Sequence, residues 1–412
     1  MKLIKSPNAK QLLANFSYLS IIEIIGLLLP LVSYPYLIRT VGANNYGIVV
    51  FAQAIVAYII IIVNFGFNVS ATRRVSESRD NLFELNTIYS SVVYLKIILL
   101  FICCIFLWSI LTVIHYENSI IIVGLLGLCI QEVLFPTWLY QGLEKMKFIT
   151  IILFLSKCTF LGLIFIFIHN EGDYIYIPFL YSFGGVLTSI LSILTLKYKF
   201  NINFTKVTFR QLKKDFLESL PFFASRLSSV VMERSNVIAI GSFFSYDMVA
   251  IYDLCTKVVS LLKTPYSLIA QVVYPNVAKS KDMRIIKKVC KPLIISSLCA
   301  SLLVMVVAKY IVLFLGGNGL SSSIPILRLM IWYVPIVGIS YLFGASVLVV
   351  KGYAKEYNLS VVYSVIIYMV LLSYLVVFHK VGLVTMTIAF LLPEFFVASY
   401  RVYISYKYKL LN

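Results

Sequence analysis

The stretch Asn64–Asp80 reads N-F-G-F-N-V-S-A-T-R-R-V-S-E-S-R-D. An apolar run that begins at Tyr46 ends here, and beyond Gly66 the apolar side chains give way to Arg73 and Arg74. Apolar runs that end in Lys and Arg are typical of helices that leave a bilayer on its cytoplasmic side, because basic loops are retained there. The stretch therefore predicts the inner end of a membrane-spanning helix.

The composition of the whole chain is that of a membrane protein. Its 412 residues are 61% hydrophobic and 13% charged, whereas soluble domains are about 45–50% apolar and about 25% charged. The net charge is +18, but Lys and Arg fall in short clusters between apolar runs, which favours membrane lipids over nucleic acid as their partner. The sequence has no G-x-x-x-x-G-K-[ST] loop, no hydrolase motif and no metal-spaced Cys/His cluster, so we expect no nucleotide, metal or other cofactor.

Apolar runs of about 20 residues can cross a bilayer as helices, and the chain contains about twelve of them. The predicted spans are residues 13–38, 46–66, 87–110, 118–140, 148–168, 175–196, 218–243, 250–274, 292–308, 325–350, 358–378 and 382–404. Lys and Arg concentrate in alternate connections, and Arg401 is counted among the bases on the cytoplasmic side. This distribution predicts that both termini are cytoplasmic. The predicted fold class is an all-α integral membrane protein.

The chain also contains an internal repeat of about 200 residues. Val75–Asp80 aligns without gaps to Val277–Asp282, and Gln141–Lys145 aligns to Lys351–Lys355. Units with an even number of spans keep the same orientation in the membrane, so we predict two parallel six-helix lobes around a central cavity. The predicted domains are an N-terminal lobe at 1–196, a cytoplasmic basic amphipathic linker at 197–216, and a C-terminal lobe with a cytoplasmic tail at 217–412.

Charged residues occur well inside the predicted spans. At about 2.5–3.5 kcal/mol for each charge exposed to lipid, their total cost would be on the order of 30 kcal/mol, whereas folding stabilities are about 5–15 kcal/mol. Most of these side chains must therefore face a partner or a wet interior. They are Glu23, Lys96, Glu132, Lys157, Arg226, Glu233, Arg234, Asp253, Lys257, Lys263 and Glu394.

Two interpretations of these charges stay open. They can pair with each other and fix the packing, as the i, i+4 spacing of Asp253 and Lys257 indicates for that pair. Alternatively, bases left over after pairing bind an anionic substrate, and nearby carboxylates couple transport to H⁺ or Na⁺. The candidate substrate ligands are Arg226, Arg234, Lys157, Lys263 and Lys96. The candidate coupling residues are Glu23, Glu132 and Glu233.

Two segments closely resemble the bacterial O-antigen flippases, in the polysaccharide transporter branch of the multidrug/oligosaccharidyl-lipid/polysaccharide exporter superfamily. They are Asn64–Ser76 and Phe135–Thr150, the second of which reads F-P-T-W-L-Y-Q-G-L-E-K-M-K-F-I-T. Length, span number and the paired six-helix units extend the resemblance over essentially the whole chain. The positions that match the family motifs are Arg73, Arg74, Trp138, Gln141, Gly142, Glu144 and Lys145.

The resemblance implies a function. It implies export of an undecaprenyl-pyrophosphate-linked oligosaccharide from the cytoplasmic to the periplasmic leaflet of the bacterial inner membrane, by alternating access, beside the polysaccharide polymerase machinery. A multidrug cation antiporter of the same superfamily is an alternative, although cationic drugs favour an acidic cavity. A membrane polysaccharide polymerase is a second alternative, but such an enzyme needs a sizeable outward loop for catalysis, and the sequence predicts none. We therefore expect a transporter and not an enzyme.

Overall fold

The computed structural model describes residues 7–411, with side chains from residue 17 onward except at positions 19, 27, 225, 229, 275 and 276. Throughout these residues the regular elements are helices, which confirms the predicted all-α class. The chain divides into two compact units, Met1–Val230 and Val231–Asn412. Residues 1–6 and 412, at the outer limits of the predicted lobes, lie outside the described residues, and the predicted domain boundaries stay predictions.

The first unit contains nine helices within the described residues and the beginning of a tenth. Their bounds are α1 (Pro7–Val41), α2 (Ala43–Asn64), α3 (Phe67–Glu77), α4 (Leu82–Ile114), α5 (Ser119–Gly124), α6 (Leu126–Leu134), α7 (Thr137–Gly142), α8 (Met146–Phe167) and α9 (Ile177–Phe200). A 3₁₀ helix, Glu171–Tyr176, precedes α9. Helix α10 (Phe209–Phe243) begins in this unit and ends in the second.

The second unit continues with six further α-helices. Their bounds are α11 (Tyr246–Ser280), α12 (Arg284–Gly316), α13 (Ser323–Met330), α14 (Tyr333–Phe343), α15 (Ala354–Val377) and α16 (Leu383–Lys407). A 3₁₀ turn, Asn318–Leu320, precedes α13, and a π-helix, Gly344–Val349, follows α14. Every predicted span coincides with a helix or with a run of short helices.

Ten helices or helix runs in the described part of the chain are long and apolar enough to cross a membrane. Helices α10 and α11 contain 35 residues each, about 50 Å at 1.5 Å per residue, which is also long enough. They are more polar because they carry most of the intramembrane charges of the second unit. The arrangement of twelve spans in two lobes around a cavity therefore stays a prediction.

The order of helix lengths recurs along the chain. Helices α1 and α10 contain 35 residues each, and α4 and α12 contain 33 residues each. The run of α2 and α3, Ala43–Glu77, covers 35 residues, as does α11. Equal lengths at corresponding positions are what a duplicated six-span unit would have.

The two copies differ at one break. Phe65 and Gly66 have left-handed backbone angles, φ 46° and 79°, which separate α2 from α3, whereas α11 is continuous. A Cβ atom at Gly66 would lie 2.7 Å from the backbone nitrogen of Phe223, so glycine is required by the close approach as well as by the angle. The break thus makes room for the beginning of α10.

The predicted amphipathic linker is not a separate helix. Residues 201–208 are extended along α4, where the Thr205 backbone N–H donates to Ser90 Oγ (2.8 Å). The helix that follows is the beginning of α10 and runs unbroken into the seventh predicted span. Phe216, at the end of the predicted linker, stacks on Phe65 with ring centres 4.3 Å apart. This part of α10 therefore packs on its own unit.

Candidate functional site

The two family-motif segments pack directly on each other. Arg79, three residues beyond the first segment, donates from Nε to the Gly142 carbonyl oxygen (2.7 Å) and pairs with the Glu144 carboxylate (2.6 Å). The Thr72 hydroxyl donates to the Trp138 carbonyl oxygen (3.2 Å). A Cβ atom at Gly142 would lie 2.5 Å from the side chain of Val75. The sequence connected these two segments only through their resemblance to one family. In the structure they pack against each other, and we call the packed pair the platform.

The start of α10 is joined to this platform by a buried ion pair. The Asp215 carboxylate, 3% exposed, accepts from the Arg74 guanidinium, from Ser91 Oγ (2.6 Å) and from Gln211 Nε2 (2.8 Å). Burial raises the pKa of the Asp215 carboxyl, and the hydrogen bond from Ser91 and the charge of Arg74 oppose that shift. Three donors and the ion pair hold this carboxylate in one position, so the contact fixes the position of α10.

The remaining motif positions divide between the core and the surface. Trp138 is buried at 1% exposure, and Gln141 is half-buried. Arg73 is exposed and pairs with Glu77 one turn later (2.9 Å), while Lys145 is exposed. Most motif residues therefore hold helices in place. Arg73 and Lys145 are the two motif bases with exposed side chains.

Lys96 and Glu132 form an ion pair inside the first unit. Lys96 is 1% exposed, and its ammonium group donates to Glu132 Oε1 (2.7 Å) and to the Glu132 carbonyl oxygen (2.8 Å). Asn64 Nδ2 donates to the same carboxylate oxygen (2.7 Å). A cavity of about 280 Å³ opens beside Glu132. Lys96, a candidate substrate ligand, and Glu132, a candidate coupling residue, are thus each other's partners.

Lys157 lies against the part of α1 that contains Glu23. The ammonium nitrogen of Lys157 on α8 would be 3.2 Å from a Cβ atom at Gly26 on α1. Glu23 lies one turn before Gly26 on the same side of that helix. One Glu23 carboxylate oxygen is buried and has no hydrogen-bond partner among the described residues. Lys157 is half-buried and forms no ion pair with a described residue.

Three charged candidates lie along the middle of α10. Arg226 and Glu233 are exposed, and Arg234 is half-buried. None of the three forms an ion pair or hydrogen bond with a described residue. Arg226 and Arg234 are therefore available to a ligand, as the second interpretation of the sequence requires.

A cluster of charged and aromatic side chains lies inside the second unit. The Lys263 ammonium nitrogen is 5.5 Å from the ring centre of Tyr333. Glu394 on α16 interacts electrostatically with Arg401, Lys263 and Glu233, but forms no ion pair or hydrogen bond with a described residue. The cluster therefore brings charges of both signs together without a direct contact between Glu394 and a base.

Arg401 is a member of this cluster that the sequence analysis did not select as a candidate. It is 6% exposed and donates from Nη1 to Ser340 Oγ (2.9 Å) and from Nε to Ser360 Oγ (3.0 Å). Its guanidinium also lies over the Tyr357 ring, 4.4 Å from the centre. Glu394 and Arg401 are seven residues apart and share a helix face, which is the signal that could have linked them.

Asp253 and Lys257 form the ion pair that their spacing predicts, on α11. Among the described residues no group of three or more His, Cys, Asp or Glu side chains could hold a metal ion.

The chain is similar in sequence to proteins of known families. A family model described as polysaccharide biosynthesis protein matches residues 12–281. A curated relative from Escherichia coli strain K12, named as an O-antigen transporter, is 26% identical over 361 residues, covering 86% of this chain and 87% of the relative. A second, from Shigella dysenteriae and named likewise, is 30% identical over 273 residues, covering 64% and 67%.

The fold is similar to that of solved transporters. The inward-facing conformation of a multidrug resistance MATE family transporter of the MOP superfamily matches with a TM-score of 0.71 and 15% identity, over 92% of this chain and 98% of the other. The outward-facing conformation of such a transporter matches with a TM-score of 0.62 and 16% identity, over 96% of each chain. At this identity the likeness shows the fold alone.

Proposed function

Because the chain belongs to the polysaccharide biosynthesis protein family, we propose that it is a flippase for undecaprenyl-pyrophosphate-linked O-antigen oligosaccharides. It carries them from the cytoplasmic to the periplasmic leaflet of the bacterial inner membrane, with both termini in the cytoplasm. The two relatives named as O-antigen transporters and the MATE-type fold support a transporter rather than an enzyme. The partners are the lipid-linked unit and membrane lipids, and the polysaccharide polymerase machinery acts on the product.

The observation that carries the proposal is the set of intramembrane bases without acidic partners. Lys157, Arg226 and Arg234 form no ion pair with a described residue. A base in a membrane span is costly unless it meets an anion or water. A guanidinium binds phosphate through two parallel hydrogen bonds, so Arg226 and Arg234 are the preferred pyrophosphate ligands, and Lys157 and Lys263 add single donors.

The mechanism we propose is alternating access by two six-helix lobes. The recurring helix lengths and the matching motif segments support a duplicated unit, the architecture in which one repeat rocks against the other. The lipid tails stay in the bilayer while the sugar and pyrophosphate cross. Moving a negative charge outward from an inside-negative cell releases about 2.3 kcal/mol per charge per 100 mV, so the membrane potential favours export.

Coupling to H⁺ or Na⁺ would use carboxylates that have no fixed partner. Glu23 has a buried oxygen without a partner, and Glu233 forms no ion pair with a described residue. Glu394 is a further candidate, because it also forms no ion pair or hydrogen bond with a described residue. Glu132 remains a candidate, but its pairing with Lys96 would have to break during the cycle.

The test is complementation of a strain that lacks its own flippase, supplied with this gene and its matching sugar cluster. The expected result is restored surface O-antigen and loss of the lipid-linked unit that accumulates in the cytoplasmic leaflet. Losing a charge-assisted hydrogen bond of about 1.5–3 kcal/mol weakens binding roughly 10- to 100-fold, so the double variant Arg226→Gln/Arg234→Gln should lose most activity.

The matched control neutralises two exposed arginines that already pair with neighbours, Arg73→Gln/Arg284→Gln, and should transport normally. All variants are compared at equal membrane levels. Failure of the unmodified protein to restore O-antigen, despite correct insertion, would overturn the flippase assignment. Normal transport by Arg226→Gln/Arg234→Gln would overturn the assigned pyrophosphate ligands.

A further inference from the structure

The second unit contains a large apolar cavity whose role the transport proposal does not explain. Its volume is about 620 Å³. It lies at the end of α10 and the starts of α11 and α16, which the sequence places on one side of the membrane. The apolar wall consists of Ile240, Phe244, Met248, Ile326, Leu383 and Val384. Phe244 and Val384 are about half exposed at 50% and 51%, so apolar side chains continue from the cavity to the surface.

One charged group, Lys380, lines this cavity. Its ammonium nitrogen lies 3.5 Å from the Tyr374 hydroxyl oxygen, and it forms no ion pair with a described residue. The other polar side chain, Thr385, donates its hydroxyl to the carbonyl oxygens of Lys380 (2.8 Å) and Gly382 (3.0 Å). The Lys380 ammonium group lies beside Tyr374, which does not line the cavity, so it would engage the headgroup of a ligand whose apolar part fills the cavity.

The apolar wall and the single lysine restrict the chemistry of a ligand that could bind in this cavity. Water needs two to four polar partners to occupy a cavity, and this wall offers too few, so an apolar occupant is favoured. A single cation at the edge of an apolar cavity complements a molecule with a hydrocarbon chain and a negative headgroup. In a membrane protein the abundant molecule of that kind is an anionic phospholipid.

We propose that the cavity binds one acyl chain of an anionic phospholipid and that Lys380 binds the phosphate of its headgroup. The site is separate from the unpaired bases of the transport proposal and does not depend on them. A lipid in this position fills space between α10, α11, α13 and α16 and stabilises the second unit. Chain burial supplies affinity, and Lys380 supplies the preference for a negative headgroup.

The test measures lipids bound to the purified full-length protein by native mass spectrometry. Phosphatidylglycerol and phosphatidylcholine with identical chains are the two probes. A lysine near anionic lipid should give phosphatidylglycerol about a five-fold preference, which Lys380→Gln should abolish. Leu383→Trp fills the cavity and should remove binding of both lipids, whereas Lys309→Gln, an exposed lysine outside the cavity, should change neither.

A second measurement does not depend on variants. Phosphatidylglycerol with a photoreactive acyl chain should cross-link to peptides that contain residues 240–248 and 381–385. An unchanged preference in Lys380→Gln, or cross-links confined to other peptides, would overturn the proposal. Labelling of these peptides by a photoreactive isoprenyl pyrophosphate, and not by the phospholipid, would assign the cavity to an isoprenoid and also overturn it.

Discussion

Arg74 and Asp215 lie 141 residues apart in the sequence and form a buried ion pair. The pair joins a family-motif arginine on α3 to the beginning of α10. Ser70 and Ser219, whose hydroxyl oxygens are 2.6 Å apart, lie one turn further along the same two helices. The motif arginine is thus engaged in helix packing, which distinguishes it from a base that is free to bind substrate.

Removing Arg74 should destabilise the protein. Arg74→Ala leaves the Asp215 carboxylate buried without its cation, a change that typically costs about 3 kcal/mol or more. The double variant Arg74→Met/Asp215→Leu should unfold at a higher temperature than Arg74→Ala, because no charge stays buried. Thermal unfolding in detergent measures both, and Arg73→Ala, at an exposed position, should leave the midpoint unchanged. A midpoint for Arg74→Ala equal to that of the unmodified protein would contradict this role.

A side chain at position 142 should separate the two motif segments. In Gly142→Ala the new Cβ atom would meet Val75 at 2.5 Å and the Thr72 carbonyl oxygen at 3.0 Å. Displacing these groups should cost about 1–3 kcal/mol, as overpacking of a core does. The readout is thermal stability. Gly162→Ala on α8, where no atom lies within 4 Å of the new Cβ, is the matched control and should be neutral or slightly stabilising.

Lys96 separates the two interpretations of the intramembrane charges. Lys96→Met alone leaves Glu132 with Asn64 as its remaining partner and should lower the amount of folded protein. Lys96→Met/Glu132→Gln removes both charges and should restore folding. If the double variant also flips O-antigen at the normal rate, the pair is structural. A folded but inactive double variant would show that one of the two charges contacts the substrate or the coupling ion.

Glu394 should influence how transport depends on ion gradients. In Glu394→Gln the electrostatic interactions with Lys263 and Arg401 are lost, while the shape of the side chain is kept. We expect slower flipping that no longer responds to a pH or sodium gradient across vesicles. Glu117→Gln, in a connection outside the predicted spans, is the control. An unchanged gradient response in Glu394→Gln would exclude this carboxylate from coupling.

Local sequence patterns predicted the helices and one ion pair. Contacts between segments that are far apart in the sequence did not follow from these patterns. The spans follow from hydropathy, and the Asp253–Lys257 pair follows from i, i+4 spacing on one helix. The partners of Arg74 and Arg79 come from segments far away in the sequence, so no local rule could identify them. The partners of Arg401, Ser360 and Ser340, are likewise 41 and 61 residues away in the sequence.

The breaks between helices also divide into those with a local cause in the sequence and those caused by contacts with distant segments. Pro136 lacks a backbone N–H and disfavours helix at Phe135, so the interruption between α6 and α7 is local in origin. The break at Phe65 and Gly66 instead depends on how closely α10 approaches. The repeat alignment matches α11 with the run of α2 and α3. It could not show that α11 is continuous, because the break between α2 and α3 depends on a contact with α10.

The matched positions Arg79 and Lys281 have a kinetic consequence. Lys281 donates from Nζ to the Val350 carbonyl oxygen at 3.4 Å, whereas Arg79 binds the Gly142 carbonyl and the Glu144 carboxylate together. Local opening of the turn after α7 must break both contacts, so backbone amides there should exchange with deuterium more slowly than those at residues 350–353. We therefore expect the two matched turns to open at different rates, with the slower one beside the motif segments.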